Sequence, residues 1–251
     1  GGEAEIANNT IAGLQSPATN GWHPMINGIV LYGDHSKISN NRIHNLTNRA
    51  ITNIGSPIIF GIYATSFDNL IANNSVALNN SLYTNAVEIS GIVMSTSGKN
   101  RIFHNSVSIS GSSNQTIFSH SYALQHYNTN ANHTNKSDIR NNIFCNTRQT
   151  NNNKNFAIGY SSLGLQKDSI NDNALFTIDS LQIAEIIEDN FPSVYNFAAW
   201  KSTYQKDSHS KNTKVIFTDA GADLNLNLYS NCLINNAGTP TADVTTDIIQ
   251  Q

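Results

Sequence analysis

The sequence predicts an all-β chain: a right-handed parallel β-helix, a solenoid, with a short helical insert near its C-terminal end. Three observations predict it. A six-residue signature recurs every 31 to 37 residues, an apolar strand recurs ahead of it, and 39 of the 251 residues are Asn. Asn is depleted in strands and favours turns and left-handed backbone. An excess of this size belongs in turns, or in side-chain ladders whose amides satisfy one another.

The signature reads Ile6-Ala-Asn-Asn9-Thr-Ile11, Ile38-Ser-Asn-Asn41-Arg-Ile43, Ile71-Ala-Asn-Asn74-Ser-Val76, Ile102-Phe-His-Asn105-Ser-Val107, Ile139-Arg-Asn-Asn142-Ile-Phe144 and Ile170-Asn-Asp-Asn173-Ala-Leu175. Its first column is always Ile, its fourth always Asn and its sixth always apolar. A weaker seventh copy lies at Leu228-Tyr-Ser-Asn231-Cys-Leu233. The physical reading is a short strand pointing Ile inward, a corner at Asn, and a second strand pointing its own aliphatic residue inward. Stacked coils then align Ile6, Ile38, Ile71, Ile102, Ile139 and Ile170 as a core ladder. They align Asn9, Asn41, Asn74, Asn105, Asn142 and Asn173 as a corner ladder, with amides donating and accepting along the stack. One coil cannot bury its own apolar face, so neighbours must supply the stability.

The preceding strand recurs as Gly28-Ile-Val-Leu31, Gly61-Ile-Tyr-Ala64, Gly91-Ile-Val-Met94 and, in the long fifth coil, Ser121-Tyr-Ala-Leu124. The Gly is expected at another corner, where a side chain would not fit. A polar insert at residues 128–137 accounts for the one spacing of 37. Propeller blades need four strands per repeat and leucine-rich repeats need a Leu ladder, and neither pattern is present. Helical repeats need apolar spacings of 3 and 4, which are also absent.

One domain spans residues 1–251, with coils over 1–178, a helical insert over 179–210 and terminal coils over 211–251. Within the insert, Leu181, Ile183, Ile186 and Ile187 alternate with Glu185, Glu188 and Asp189, and predict an amphipathic helix ending near Pro192. Asn196 reads as the cap of a second helical turn carrying Trp200. That insert is expected to cover the last coils, because an exposed coil end resembles a sheet edge. Trp200 is the candidate aromatic platform for a sugar ring, weighed against simple burial.

Composition narrows the function. Charged residues make up 12%, with 14 basic against 17 acidic and a net charge of −3. No basic run exists to neutralise phosphates, so nucleic acid is not an expected partner. No apolar stretch approaches the roughly 20 residues of a membrane span. Cys145 and Cys232 fall in different columns of non-adjacent coils, which argues against a bridge.

The Ile-x-Asn-Asn-x-Ile coils resemble the right-handed parallel β-helix repeat proteins of the pectate-lyase-like superfamily. The tail, with Asp207-Ser-His-Ser210, Asp223-Leu-Asn-Leu226, Ser230-Asn-Cys-Leu-Ile-Asn235-Asn-Ala-Gly238-Thr-Pro240 and Val244-Thr-Thr-Asp247-Ile248, is similar to the ends of such regions in large secreted proteins of Bacteroidetes-type bacteria. The resemblance implies secretion to the cell surface and further domains in the same protein. It implies no single activity, since the superfamily mixes lyases, hydrolases and non-catalytic adhesins.

For a lyase of acidic glycans, a base and a cation must meet the uronic carboxylate. The candidates are Lys99, Arg101, His104 and Arg140, which the repeat frame brings to one face, with calcium as the cofactor such a lyase would take. The competing reading pairs Arg101 with Asp138 across strands as ordinary surface charges. A hydrolase needs converging carboxylates, and the acidic residues of the coils are scattered. Asp172 and His104 replace Asn in the third column and are expected to join the ladder. For a metal, only Asp219 and Asp223 cluster, in a stretch that a tight turn explains equally well. The expected function is therefore a non-catalytic extracellular module, an adhesin segment, stalk or polysaccharide-contacting surface. A polysaccharide lyase is the alternative.

Overall fold

The computed structural model describes residues 3–16, 24–49, 57–79, 87–95, 99–113, 120–127, 136–151, 154–166, 168–187, 192–219, 224, 233–234 and 237–244. Within these the chain is a parallel β-solenoid. The first sheet stacks Glu5–Ala7, Lys37–Ser39, Leu70–Ala72, Arg101–Phe103, Asp138–Arg140 and Ser169–Asn171. The second stacks Thr10–Ala12, Arg42–His44, Ser75–Asn79, Ser106–Ser110, Ile143–Asn146, Ala174–Thr177 and Lys211–Asn212. The third and widest stacks Met25–Leu31, Ile58–Ala64, Glu88–Met94, Ser121–His126, Asn155–Tyr160 and Ala184–Ile186, and ends on Ser193–Tyr195.

Register follows the repeat. Ile6, Ile38, Ile71, Ile102, Ile139 and Ile170 are successive cross-strand partners. So are Ile11, Ile43, Val76, Val107, Phe144 and Leu175. Beyond the first coil these side chains are sealed in the core, each contributing about 1.5–3 kcal/mol by leaving water.

The corner Asn side chains form a continuous ladder. The backbone N–H of Asn74 donates to Asn105 Oδ1 at 3.0 Å, and its Nδ2 donates to the same oxygen at 3.0 Å and to Ile38 O at 2.9 Å. The same pattern runs from Asn41 to Asn142. Burying an amide without partners costs about 1–3 kcal/mol, so the stack is what makes a buried Asn tolerable. The residue before each ladder Asn has left-handed backbone, with φ between 54° and 61° at Asn8, Asn40, Asn73, His104, Asn141 and Asp172. Asn, Asp and His tolerate that region better than other non-glycine residues. His104 and Asp172 therefore do not join the ladder; they stand at the turn position beside it.

A second polar column lies at the entry to the first sheet. Ser36 N donates to Asn69 Oδ1, Asn69 N to Asn100 Oδ1, and Ser137 N to Asp168 Oδ1.

Two expectations are corrected. Gly28, Gly61 and Gly91 lie inside strands of the third sheet rather than at a corner. A Cβ on Gly61 would stand 2.4 Å from Val76 Cγ1 and 2.5 Å from Gly91 O. The facing second sheet leaves no room there, and Ala123 and Ala157 take the matching positions in later coils. The predicted helix over 181–189 is instead the strand Ala184–Ile186, paired in parallel with Ile158–Tyr160. The open edge of the third sheet offered hydrogen bonds and a buried site that outweighed the helical apolar spacing. The coils thus run on past residue 178.

The second helical turn is as expected: Phe197–Tyr204 is a helix, capped by Asn196, whose Oδ1 accepts from Ala199 N at 2.8 Å. A four-residue helix also spans Ser162–Leu165. Of the predicted terminal coils only Lys211–Asn212 is a strand among the described residues, and Asn231 lies outside them.

Candidate functional site

Of the predicted basic residues, Arg101, His104 and Arg140 lie near one another, and both guanidinium groups already hold carboxylates. Arg101 is the cross-strand neighbour of Asp138. Its guanidinium nevertheless binds Asp243 at 3.2 Å and approaches Asp68 at 3.8 Å. Asp138 instead takes Arg140, through Nε and Nη2, both at 2.7 Å. Lys37, two coils further down the same column, pairs with Glu5 at 2.9 Å. Lys99 is exposed. His104 Nε2 sits 3.1 Å from Thr241 Oγ1, and burial followed by the Arg140 charge lowers its pKa, keeping it neutral at pH 7.

The reason these groups are covered is the chain itself. Residues 238–244 lie back along the left-handed column, against the direction in which the coils grow. Thr239 and Asn141 exchange two hydrogen bonds, N–H to Oδ1 at 2.9 Å and Nδ2 to O at 2.6 Å. Thr239 Oγ1 also reaches Asp172, Asp243 meets Arg101, and Val244 packs on Leu70, Ala72 and Phe103. Between strap and coils remains a cavity of about 210 Å³ bordered by His104, Asn141, Asp172, His209 and Lys211.

Trp200 is corrected outright as a sugar platform. It is 0% exposed, and its Nε1 donates to Asp207 Oδ2 at 2.7 Å. Asp219 is exposed, Asp223 lies outside the described residues, and no group of three metal-ligating side chains occurs among the described residues. Cys145 is a buried free thiol whose pKa burial pushes up to about 11. Cys232 lies outside the described residues.

A polar network on the outer face of the third sheet went unmarked in the sequence. Tyr122 stacks on Phe156 at 5.5 Å, crosses over Gly159 and donates its hydroxyl to Glu185. A Cβ on Gly159 would meet the Tyr122 ring at 2.4 Å, so the glycine makes the trough in which the ring lies. His120 Nδ1 is 2.9 Å from the same hydroxyl, and Gln125 links Ser90 to Tyr127. Burial raises the Glu185 pKa, partly offset by Tyr122 and Lys154, while burial and Lys154 hold His120 down near about 4. The available signal was the column Phe60, Tyr122, Phe156, aromatic residues at an outward strand position. It is visible only once register is known.

A cavity of about 410 Å³ opens beside the ribbon formed by Ser112–Ser113 and Gln149–Thr150. Ser112, Ser113, Gln149, Thr150, Asn151, Asn155, Asp179 and Arg148 give it hydroxyl, amide and charged groups, with Ile178 the one apolar side chain among the described lining residues. Arg148 is nearly fully buried, and burial lowers its pKa to about 10, which leaves it charged at neutral pH. Comparisons with protein-family models, with curated proteins and with solved structures give no match for this chain.

Proposed function

We propose that the chain is an extracellular, cell-surface β-solenoid module that holds a polysaccharide without transforming it, as part of an adhesin or stalk. The carrying observation is the 410 Å³ cavity, whose lining matches the alternating donors and acceptors of a hydroxylated ligand. The low charge supports the same reading. The coil signature and tail support placing it with pectate-lyase-like β-helices of secreted bacterial proteins. The lyase alternative draws less support, because Arg101 and Arg140 each already hold a carboxylate and His104 sits against the strap.

A polysaccharide panel tests this reading. The intact chain is expected to retain a hydroxyl-rich glycan, and Gln149→Ala, at an exposed lining position, is expected to weaken retention about tenfold. Release of unsaturated ultraviolet-absorbing product from uronic-acid polymers would overturn the non-catalytic reading, and failure to bind any glycan would overturn the binding one.

A further inference from the structure

The strap of residues 237–244 is tied to the coils at Asn141 by a matched pair of bonds. The Thr239 N–H donates to Asn141 Oδ1 at 2.9 Å, and Asn141 Nδ2 donates to Thr239 O at 2.6 Å. A backbone N–H can only donate and a backbone carbonyl can only accept. These two bonds therefore fix which way the Asn141 amide faces. Gly238 allows the close approach, since a Cβ there would stand 3.0 Å from Asn141 Oδ1 and 3.2 Å from its Cγ.

His104 completes the arrangement one coil below. Its Nε2 lies 3.3 Å from Asn141 Nδ2 and 3.1 Å from Thr241 Oγ1. With the amide fixed, Asn141 turns an N–H toward Nε2, so this ring nitrogen must present its lone pair and not a proton. The Thr241 hydroxyl can rotate to donate or to accept. The Asn141 amide cannot turn over without breaking both bonds to Thr239. Protonating Nε2 sets one N–H against another at this point. Relief comes from moving Asn141, which frees Thr239, or from moving His104, which frees Thr241. Either motion loosens the strap.

The charges around the imidazole act in the same sense. Burial, and then the Arg140 charge, lower the His104 pKa. Asp138 is held by Arg140 and Asp243 by Arg101. Asp172, on the coil above Asn141, accepts from Thr239 Oγ1 at 3.2 Å and lies 3.5 Å from His209 Nδ1. Lys211 borders the same cavity with a further positive charge.

We propose that residues 237–244 are an acid-released strap, latched by neutral His104 through Asn141 and Thr241. On release, Leu70, Ala72 and Phe103 lose the cover of Val244, and Arg101 loses Asp243. The closed strap favours the neutral imidazole, so closure is strongest above the ordinary histidine value of about 6.5. It weakens as pH falls below that value, by at most about tenfold per pH unit.

Amide exchange of the Thr239 N–H in the full chain, read by NMR as a protection factor at about pH 7.5 and about pH 5, tests the latch. Protection is expected to fall about tenfold between the two, while that of the Asn74 N–H in the corner ladder holds. The fall should coincide with the titration of the His104 ring followed in the same samples. His104→Asn places at this turn the residue type that Asn73 and Asn141 supply in the neighbouring coils. It should keep the strap and remove the pH response, whereas His209→Gln should retain the response. Thr239 protection that does not change with pH would overturn the proposal, as would a transition that does not coincide with the His104 titration. So would a response that survives His104→Asn, one that vanishes with His209→Gln, or one shared by Asn74, which marks opening of the coils themselves.

Discussion

The first and last coils among the described residues are built from the same columns and are bounded differently. At the C-terminal end the corner ladder is closed by different chemistry. Asn173 N donates to Ser210 Oγ at 2.7 Å, and its Nδ2 donates to Asp207 Oδ1 at 3.2 Å. Trp200 seals the core from above and ties itself to the same carboxylate. Each sheet is stopped in its own manner. The first receives the Asp207 N–H on Ile170 O, the second ends on Lys211–Asn212, and the third meets the reversed strand Ser193–Tyr195. In the first coil none of these devices is seen among the described residues; Ile6 and Ile11 keep partial exposure, while Ile26, Ile29 and Leu31 of the third sheet are buried. The lesson is that repetition alone does not end a repeat. Edges need specific non-repeating groups.

The strongest way to break this contrast is Trp200→Ala. Losing a sealed indole should cost about 3–5 kcal/mol, read as a fall in urea midpoint, and should open the closed end. Gly91→Ala comes next. A Cβ there would lie 2.2 Å from Val107 Cγ1 and 2.6 Å from Ala123 O, and overpacking of this kind costs about 1–3 kcal/mol or more. The same change at Gly28 should cost somewhat less, because its Cβ would meet the matching obstacles, Gly61 O and Ile43 Cγ2, both at 2.6 Å. Asn105→Ala should cost about 2–3 kcal/mol, since it strips partners from Asn74 and from buried carbonyls.

A pH series sharpens the closed end further. Burial raises the pKa of Asp207, against hydrogen bonds from Ser210, Trp200 and Asn173 that lower it. The folded chain then keeps a proton that the unfolded chain releases near pH 4. That contribution to stability is complete below about pH 4 and is lost as pH rises through the folded value. Urea unfolding of Asp207→Asn should lose this slope. Asn9→Ala should change stability least, within about 0.5 kcal/mol, because its side chain is exposed.

The ladders were legible in the sequence because stacking forces like residues into like positions, and Ile38, Ile71, Ile102 or Asn41, Asn74, Asn105 could hardly hide. What resisted reading was whatever depends on contacts between columns. Gly61 looked like a corner because sequence shows a missing side chain and not Val76 filling its place. Residues 184–186 looked helical because their spacing suits a helix, while the free edge of Asn155–Tyr160 that captured them is invisible in one dimension. The repeat frame puts Arg101 and Arg140 near one another, yet Asp243 and Thr241, which meet Arg101 and His104, come from a segment more than a hundred residues away. Glu185 reached Tyr122 only through a strand assigned elsewhere.

The near-constant distance from one ladder Asn to the next, 31 to 37 residues, has a mechanical consequence. Pulled from its two termini, such a chain should peel one layer at a time. Each peeled layer should release about 110 Å of contour at roughly 3.4 Å per residue. The force trace should then be a regular sawtooth, with its one longer tooth where the fifth layer carries extra residues.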